Sequence, residues 1–394
     1  MKRTARVAVV GAGIGGLTTA IALGRAGFEV RVLERATELR EVGAGLLLAA
    51  NAQKALAKLD LAEAVARLGT PASAGDIRSW RGEVLASIPA AELEEKLGAA
   101  SAAVHRADLQ ALLLRELGEK PLRLGSEVEG FEQGEDGVTI FLAGGSEERA
   151  DLLVGADGLR SKIRAELFGS EEPRYAGYTA WRAVTIPERE LLPWGTGFET
   201  WGRGQRFGCA HIGHGRVYWF ATKNAPKGEK DGPPGGCGGA RATLLAHFGD
   251  CHHPVPELIE TTAEDAIRRD DIYDREPLPG RWGEGRVTLL GDAAHPMTPN
   301  LGQGACQAIE DAVVLARYLR ELGEAERGSI PAALRRYEAL RSPRTASIVR
   351  RSRRIGQVGQ LENALLCGLR DRGLAIVPPK SQLRQLEEVV GHEA

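Results

Sequence analysis

Three glycines and one glutamate near the start of the chain have the spacing of a nucleotide-binding site. Gly11, Gly13 and Gly16 follow a short apolar run, and Glu34 ends the next apolar run about 20 residues later. In this pattern the glycines permit a tight turn, close approach of a pyrophosphate, and close packing of helix on strand. The acid is placed to accept a hydrogen bond from a ribose hydroxyl. We therefore predict a dinucleotide-binding unit over Val7–Glu34, whose ligand is FAD or NAD(P).

Histidines and cysteines give weaker candidates. Cys251, His252 and His253 are consecutive in the sequence, and adjacent side chains do not easily converge on one ion, so we predict no metal site. His211 is a candidate general base. Because a lone histidine in a sheet is more often a core residue, we assign it no catalytic role.

The composition is that of an ordinary globular protein. The 394 residues are 43% hydrophobic, the net charge is -2 and the pI is near 6.5. This overall charge gives no reason to expect binding to nucleic acid or to an anionic membrane. Five cysteines without regular spacing fit a reducing compartment. Val7–Gly24 is uncharged, but its five glycines argue against a signal peptide or a transmembrane segment. We expect a cytoplasmic protein that acts on small molecules.

A strand, a helix and a second strand are needed to position the glycines, and the apolar pattern of Val7–Glu34 predicts them in that order. Asn51 and Asp108 are predicted to cap two later helices. Between them, the loose pattern of residues 71–98 predicts a hairpin that leaves the first domain. Strand-like runs separated by glycine turns then predict a small antiparallel meander that ends before Gly155–Gly158.

The sequence pattern changes twice in the rest of the chain. Tyr175–Arg275 is rich in aromatic residues that alternate with others, which predicts strands of a second sheet and a substrate domain. A predicted strand over Val287–Leu290 and a predicted helix from about Gly302 to Leu322 then return to the strand and helix pattern of the first domain. The arginines of residues 335–354 are predicted to cover the solvated outer face of long helices.

Three separated segments match one known pattern. The segments GAGIGG, DLLVGADGLRSKIR and RVTLLGDAAHPMTPNLGQGACQAIEDA resemble the fingerprints of single-component (class A) FAD-dependent aromatic hydroxylases, which have the para-hydroxybenzoate hydroxylase fold. The resemblance extends from about Val7 to Pro379. Within that family, GYTAWRAV and QRFGCAHIGHGRVYWFA resemble the branch of salicylate hydroxylase, urate hydroxylase and zeaxanthin epoxidase.

The resemblance implies an α/β fold with a Rossmann-like FAD-binding domain, an inserted mixed β-sheet substrate domain and C-terminal helices. We predict an FAD-binding domain in residues 1–72, 99–174 and 276–330, a substrate domain in 73–98 and 175–275, and a C-terminal helical segment in 331–394.

The resemblance also implies roles for individual residues. Glu34 resembles the acid that holds the adenosine ribose, Asp157 belongs to a motif tied to FAD and NAD(P)H, and Asp292 belongs to the motif that grips the ribityl chain. The full set of residues implied to bind the cofactor is Gly11, Gly13, Gly16, Glu34, Arg35, Gly45, Arg106, Gln110, Val128, Asp157, Asp292, Pro299, Gly302 and Gly304.

The third motif also has a physical interpretation. Gly302 and Gly304 leave the backbone bare where a helix begins, and a helix N-terminus favours negative charge nearby. Reduced flavin is negative near N1 and the C2 carbonyl, so this helix suits the reduced cofactor. Pro299 stiffens the loop in front of the flavin ring.

The family implies that NADH or NADPH reduces FAD, and that dioxygen then forms a C4a-hydroperoxyflavin that hydroxylates an aromatic or heteroaromatic molecule. Arg206 and Tyr218 resemble substrate-site residues of the urate enzyme and are our candidate substrate contacts. The same pattern recurs across the branch, so a purely structural role in the sheet is the alternative.

Two other functions remain open at this stage. One is an epoxidase or reductase of an isoprenoid or polyketide on the same fold. The other is a binding protein like the GDP-dissociation inhibitors, against which the intact Asp157 and Asp292 motifs argue. We expect no nucleic-acid partner, and either a monomer or a homodimer.

Overall fold

The structure is a computed structural model that describes residues 4–39, 44–72, 74–232, 238–322 and 330–394. Its strands are β1 (Arg6–Val10), β2 (Glu29–Leu33), β3 (Gly45–Leu48), β4 (Thr70–Pro71), β5 (Ala74–Ser79), β6 (Val84–Pro89), β7 (Ala102–His105), β8 (Leu122–Arg123), β9 (Val128–Gly134), β10 (Gly137–Leu142), β11 (Glu147–Ala150), β12 (Leu152–Gly155), β13 (Arg174–Thr185), β14 (Thr196–Trp201), β15 (Gln205–His211), β16 (Val217–Asn224), β17 (Arg268–Asp274) and β18 (Val287–Leu289).

The α-helices are α1 (Ile14–Arg25), α2 (Ala50–Ala57), α3 (Ala62–Leu68), α4 (Ala90–Leu97), α5 (Arg106–Leu117), α6 (Lys162–Phe168), α7 (Ala240–Phe248), α8 (Val255–Glu260), α9 (Gly304–Arg320), α10 (Ile330–Gly359), α11 (Ala364–Ile376) and α12 (Pro379–Val390). Short 3₁₀ helices span Glu264–Ala266, Gly291–Ala293 and Pro299–Leu301. Among the residues described, no helix is both long and apolar enough to cross a bilayer.

A parallel sheet forms the first layer, with described strands in the order β18–β12–β1–β2–β8. Its central strands are apolar on both faces because helices cover both sides. Helix α1 packs against α5 and α9, and α9 packs against α10. The carboxyl ends of β1, β12 and β18 meet at one edge of the sheet, which is where ligands bind in folds of this type.

A second, mixed sheet has the strand order β17–β13–β16–β15–β14–β5–β6 within the described chain. The pair β14–β5 is parallel and the other neighbours are antiparallel. Side chains alternate between its two faces. Trp181, Phe207 and Trp219 point to one face and form a buried cluster with residues of α7 and α8. The other face is directed at the parallel-sheet layer.

The predicted fold class is confirmed: a Rossmann-like parallel sheet, a mixed second sheet and C-terminal helices are all present. The hairpin predicted after Pro71 is β5–β6, and it joins the edge of the second sheet through β14. The predicted meander is the antiparallel set β9–β10–β11. The exact domain boundaries stay a prediction.

Two predicted helix caps are wrong. Helix α2 has Ala49 at its N-cap, and Asn51 lies inside the helix with a fully buried side chain. Helix α5 has His105 at its N-cap, and Asp108 instead pairs with Arg216. The helix predicted from about Gly302 to Leu322 is confirmed as α9, which begins at Gly304 after Gly302 adopts a left-handed conformation (φ 62°).

Candidate active site

The glycine loop between β1 and α1 contains two glycines that the chain itself requires. Gly11 has a φ of 104°, and a Cβ there would lie 2.5 Å from the carbonyl oxygen of Ala156. A Cβ on Gly16 would lie 1.9 Å from the carbonyl oxygen of Gly11. These two positions therefore fix how α1 packs on the end of the parallel sheet.

Gly13 is different, because nothing in the chain requires a glycine there. It is the N-cap of α1 with a φ of -73°, and a Cβ would meet no atom within 4 Å. The space in front of this backbone, at a helix N-terminus with no capping side chain, suits close approach of a phosphate group. The loop therefore fits the pyrophosphate of a dinucleotide.

Side chains from two other elements hold the glycine loop. Glu34, directly after β2, accepts hydrogen bonds from the backbone N–H of Ala12 (2.7 Å) and from that of Ala36 (2.9 Å). Gln110 of α5 donates a hydrogen bond from Nε2 to the Ala12 carbonyl oxygen (2.9 Å). Each carboxylate oxygen of Glu34 retains a lone pair for a further donor. Arg35 is exposed beside it.

Asp157 occupies the turn between β12 and α6. One of its oxygens accepts from Ser161 Oγ (2.6 Å), and the other accepts from the backbone N–H of Lys162 (2.7 Å). Burial raises the pKa of this carboxyl group, and the hydrogen bonds oppose that shift only in part. Asp157 therefore accepts from the first turn of α6 and from Ser161, the N-cap residue of that helix.

Arg164 of α6 connects that turn to the loop after β18. Its Nη1 donates to the carbonyl oxygens of Ala293 (3.2 Å) and Ala294 (3.0 Å). Burial lowers the pKa of Arg164 to about 10. The two acidic motifs found in the sequence are thus joined by a buried cation.

Asp292 lies in the 3₁₀ turn after β18, with its carboxylate exposed toward the sheet edge. Desolvation by the surrounding protein raises its pKa, and the nearby His295 and Arg106 oppose that rise. Arg106 begins α5, so this helix reaches both the glycine loop and Asp292. A Cβ on Gly304 would lie 3.8 Å from Asp292 Oδ1, which puts the carboxylate beside the first turn of α9.

A buried network that the sequence analysis missed supports this loop. Asp311 of α9 accepts from the backbone N–H of Gly291 (3.0 Å), from His295 Nε2 (2.6 Å) and from Arg341 Nε (2.6 Å). Although burial opposes the charged form, His295 and Arg341 lower the pKa of Asp311 to about 2. The available signal was the acid pair Glu310–Asp311 inside an otherwise apolar helix face.

The loop of Pro299–Leu301 faces the second sheet and is fixed from several sides. Pro299 is exposed. Asn300 donates to Thr298 Oγ1 (2.8 Å) and to the Ser352 carbonyl oxygen (2.9 Å). Its Oδ1 accepts from Tyr178 Oη (3.2 Å), a residue of β13. The loop therefore bridges α10 and the second sheet.

Arg206 extends this bridge. Its side chain is 2% exposed, and its three nitrogens donate to Gln360 Oε1 (2.8 Å), Glu199 Oε1 (2.9 Å) and Asn300 Oδ1 (2.6 Å). Every nitrogen of the guanidinium thus has a protein partner. The geometry is that of a residue that positions the Asn300 loop against the sheet.

Glu199 is a second residue that the sequence analysis missed. Its Oε1 accepts from Arg206 Nη1 (2.9 Å) and from Trp201 Nε1 (2.7 Å). The side chain is 28% exposed, and it lies on the same sheet face as Arg206. Its only signal in the sequence was an acidic residue in a strand of alternating pattern, one strand before the strand that carries Arg206.

Tyr218 and Phe220 provide aromatic surface on the same face. The ring of Tyr218 covers Gly45, where a Cβ would lie 2.5 Å from ring atoms. The ring of Phe220 covers Gly208 in the same way (2.4 Å). Burial raises the pKa of Tyr218, against the effect of Arg182. The structure thus brings Gly45 and Tyr218 together, although they were predicted for different roles.

The remaining candidates lie away from this face. Val128 is buried at the start of β9. His211 is buried, with Nε2 3.1 Å from the Leu192 carbonyl oxygen, as expected of a core histidine. His252 Nε2 lies 2.7 Å from Thr200 Oγ1, and His253 pairs with a glutamate. Within the described residues, no cluster of side chains suits a metal ion.

A cavity of about 810 Å³ lies elsewhere, between the β5–β6 hairpin, the β14–β15 turn and α11. Trp80, Trp201 and His247 line it. None of the predicted cofactor or substrate residues does, so we place the active site at the sheet edge instead.

Comparison with known proteins agrees with this geometry. The FAD binding domain family model matches residues 4–191 and 259–352. The aurachin C monooxygenase/isomerase of Stigmatella aurantiaca is 48% identical over 372 residues, which are 94% of each chain. The FAD-dependent urate hydroxylase of Klebsiella pneumoniae is 36% identical over 349 residues, 88% of each chain.

A solved structure extends the match to three dimensions. Klebsiella pneumoniae HpxO complexed with FAD and uric acid superposes with a TM-score of 0.91 at 31% identity, covering 99% of this chain and 97% of that one. The family model covers most of the chain, and the intact glycine loop and acidic motifs lie at the expected sheet edge. The chain therefore belongs to the FAD binding domain family and is a flavoprotein monooxygenase of the single-component aromatic hydroxylase class.

Proposed function

We propose that this protein hydroxylates a neutral aromatic or heteroaromatic ring that bears an N–H or O–H donor, using FAD, dioxygen and NADH or NADPH. The observation that supports this proposal is the sheet face of Tyr218, Phe220 and Glu199, which Arg206 and Asn300 join to the loop beginning at Pro299. When bound, FAD supplies the redox and oxygen-activating chemistry.

The dinucleotide half of FAD fits the edge of the parallel sheet. Gly13 and the first turn of α1 receive the pyrophosphate, and Glu34 accepts from the adenosine ribose. Arg106 and Asp292 hold the ribityl chain between α5 and α9. The backbone around Val128 and the exposed Arg35 lie toward the adenine, as the family pattern implies.

The flavin end fits the start of α9. Gly302 and Gly304 leave the backbone uncovered there, and the helix dipole stabilises negative charge at this position. Pro299 limits motion of the loop in front of the ring. These residues hold the reacting end of the cofactor against the second sheet, where water must be excluded.

The charges on the sheet face select the substrate. The positive charge of Arg206 is balanced by Glu199, and all three of its nitrogens have protein partners. A ring carboxylate would gain little there, because its desolvation would not be repaid. The second oxygen of Glu199 is able to accept from a ring N–H or phenol O–H, while Tyr218 and Phe220 pack against the ring.

Paired substrates test the proposal. FAD-loaded protein is mixed with NADH or NADPH and with either 4-hydroxyquinoline or its 2-carboxylate, and both coenzyme oxidation and hydroxylated product are measured. We expect the neutral ring to stimulate oxidation and give product, and the acid to do neither. Preference for the acid would overturn the assignment of substrate class.

The variant Glu199→Gln tests the acceptor. Its amide NH₂ faces the substrate donor, so KM for a donor-bearing ring should rise about tenfold or more, with a smaller change in kcat. The exposed Glu260→Gln on α8 is the matched control and should behave as wild type. Equal kinetics for the two variants would remove Glu199 from the site.

A further inference from the structure

Helix α11 presents several large apolar side chains to solvent, whereas its Arg370 side chain is buried. Leu365, Leu369 and Ile376 are 80%, 64% and 78% exposed, whereas Cys367 and Arg370 are 5% and 8% exposed. A surface helix of a globular protein normally has the opposite orientation. Exposed apolar residues that form one helix face mark an interaction surface.

The buried contacts of Arg370 fix this orientation. Its guanidinium donates to the carbonyl oxygens of Gly202 (3.1 Å) and Gly359 (3.2 Å), and its Nε donates to Asp371 (2.8 Å). The cation also lies 5.4 Å from the ring centre of Trp201. If α11 rotated so that its leucines pointed inward, the buried polar groups around Arg370 would contact apolar side chains instead, which costs free energy. The apolar face of α11 therefore remains exposed to solvent.

The segment of sequence that contains this helix carries an excess of positive charge. Residues 350–384 contain eight Lys or Arg and two Asp or Glu, a net charge of +6, although the whole chain has a net charge of -2. Arg350, Arg354 and Val358 are exposed at four-residue intervals on one face of α10, just before α11 begins. Arg350, Arg351 and Arg354 also line a surface depression with Ser347 and Glu388, and Glu388 pairs with Arg351 (3.4 Å).

We propose that α11 and the exposed arginines of α10 form a docking surface for an anionic lipid bilayer. The 13-residue helix, about 20 Å long, would lie in the bilayer interface with Leu365, Leu366, Leu369 and Ile376 among the acyl chains. Lipid phosphate groups would pair with Arg350 and Arg354. This is the combination that holds amphipathic helices on membrane surfaces.

A second copy of the chain fits this surface less well. A symmetric contact places the same patch of both subunits together, which would bring two positively charged patches close to each other. Anionic headgroups remove that repulsion. The proposal does not depend on the substrate proposed above, since none of the residues assigned to the substrate belongs to α11 or to the exposed arginines of α10.

Vesicle flotation tests the proposal. FAD-loaded protein is floated with vesicles of phosphatidylcholine alone and with vesicles that also contain phosphatidylglycerol, at low and high salt. We expect binding to the anionic vesicles, weakened by salt. Protein that stays unbound with both vesicle types would overturn the proposal.

Two double variants and a control locate the surface. Leu365→Ser with Leu369→Ser should weaken binding to anionic vesicles by about a hundredfold, and Arg350→Glu with Arg354→Glu by about thirtyfold. Ile186→Ser removes an apolar side chain of similar exposure (69%) from another surface and should bind as wild type. FAD content and melting temperature verify that each variant is folded.

Two results would contradict the assignment. Binding by either double variant that equals binding by Ile186→Ser would show that α11 or the arginines are not involved. A dimer in sedimentation velocity that Leu365→Ser with Leu369→Ser dissociates would show that the occupant is a second copy.

Discussion

Asp311 is the residue on which the loop after β18 depends most directly. Its carboxylate accepts from the Gly291 backbone, His295 and Arg341, all inside the protein. The neighbouring Glu310 pairs with the same arginine. The loop that presents Asp292 is therefore positioned by a buried negative charge whose partners come from three elements.

Asp311→Asn should destabilise the protein by about 3 kcal/mol near neutral pH, because it leaves the Arg341 cation without one partner and turns an amide donor toward other donors. The pKa of Asp311 is lowered from 3.8 to about 2. Its contribution to stability is thus complete above about pH 4 and is lost as the pH falls toward 2. Urea unfolding at pH values from roughly 7 to 2.5, a range that includes most of the protonation of Asp311, measures both the loss of stability and its pH dependence.

The exposed Asp60→Asn is the control. Asp60 has a φ of 47°, which asparagine tolerates, and its side chain is 91% exposed beside Arg25. Its unfolding free energy should stay within about 0.5 kcal/mol of wild type. An acid-unfolding profile of Asp311→Asn that coincides with the control profile would show that the buried carboxylate does not contribute as proposed.

At the scale of elements, the sequence predicted what local patterns determine. The βαβ unit, the meander and the alternation of the second sheet follow from apolar periodicity and glycine turns. The two wrong caps have a tertiary cause. The side chain of Asn51 donates a hydrogen bond to Gln303 (3.0 Å) instead of capping α2. Asp108 forms an ion pair with Arg216 instead of capping α5.

The site was predictable only where the residues share a motif. Arg206 meets Gln360 and Asn300 across sequence separations of up to 154 residues, and no local spacing encodes such contacts. Arg206 was found from family resemblance, whereas its function as a bridge required the coordinates. The same holds for Arg341, which reaches Asp311 from the next helix.

Substitutions in the glycine loop can separate its contribution to FAD binding from its contribution to folding. Gly13→Ala meets no atom of the chain, so the apoprotein should keep its stability while the Kd for FAD rises about tenfold or more. Gly16→Ala meets the Gly11 carbonyl and should destabilise the apoprotein by about 2 kcal/mol. Isothermal titration and thermal unfolding of both variants measure these effects.

Gly24→Ala is the matched control within the same helix. A Cβ there meets no atom within 4 Å, and alanine favours a helix interior by about 0.5–1 kcal/mol. It should therefore be slightly stabilised with unchanged FAD affinity. If Gly13→Ala bound FAD as tightly as Gly24→Ala, the loop would not approach the pyrophosphate as proposed.

At the scale of the molecule, the proposed cofactor site joins segments that are far apart in the chain. Gly13, Gln110, Asp157 and Asp292 come from successive parts of the parallel-sheet layer. Buried polar contacts such as Gln110 to Ala12 and Arg164 to Ala294 already connect them. A ligand that contacts all of these segments binds the folded state only, so it must stabilise the whole layer.

FAD at a hundred times its Kd should raise the unfolding free energy by about 2.7 kcal/mol. Thermal unfolding with and without added FAD measures this gain. Asp292→Ala should lose most of this gain. The apoprotein should stay as stable as wild type or become more stable, because desolvation by the surrounding protein disfavours the charged carboxylate and raises its pKa. A variant with the full FAD gain would show that Asp292 does not touch the cofactor, whereas a destabilised apoprotein would instead assign it a role in the fold.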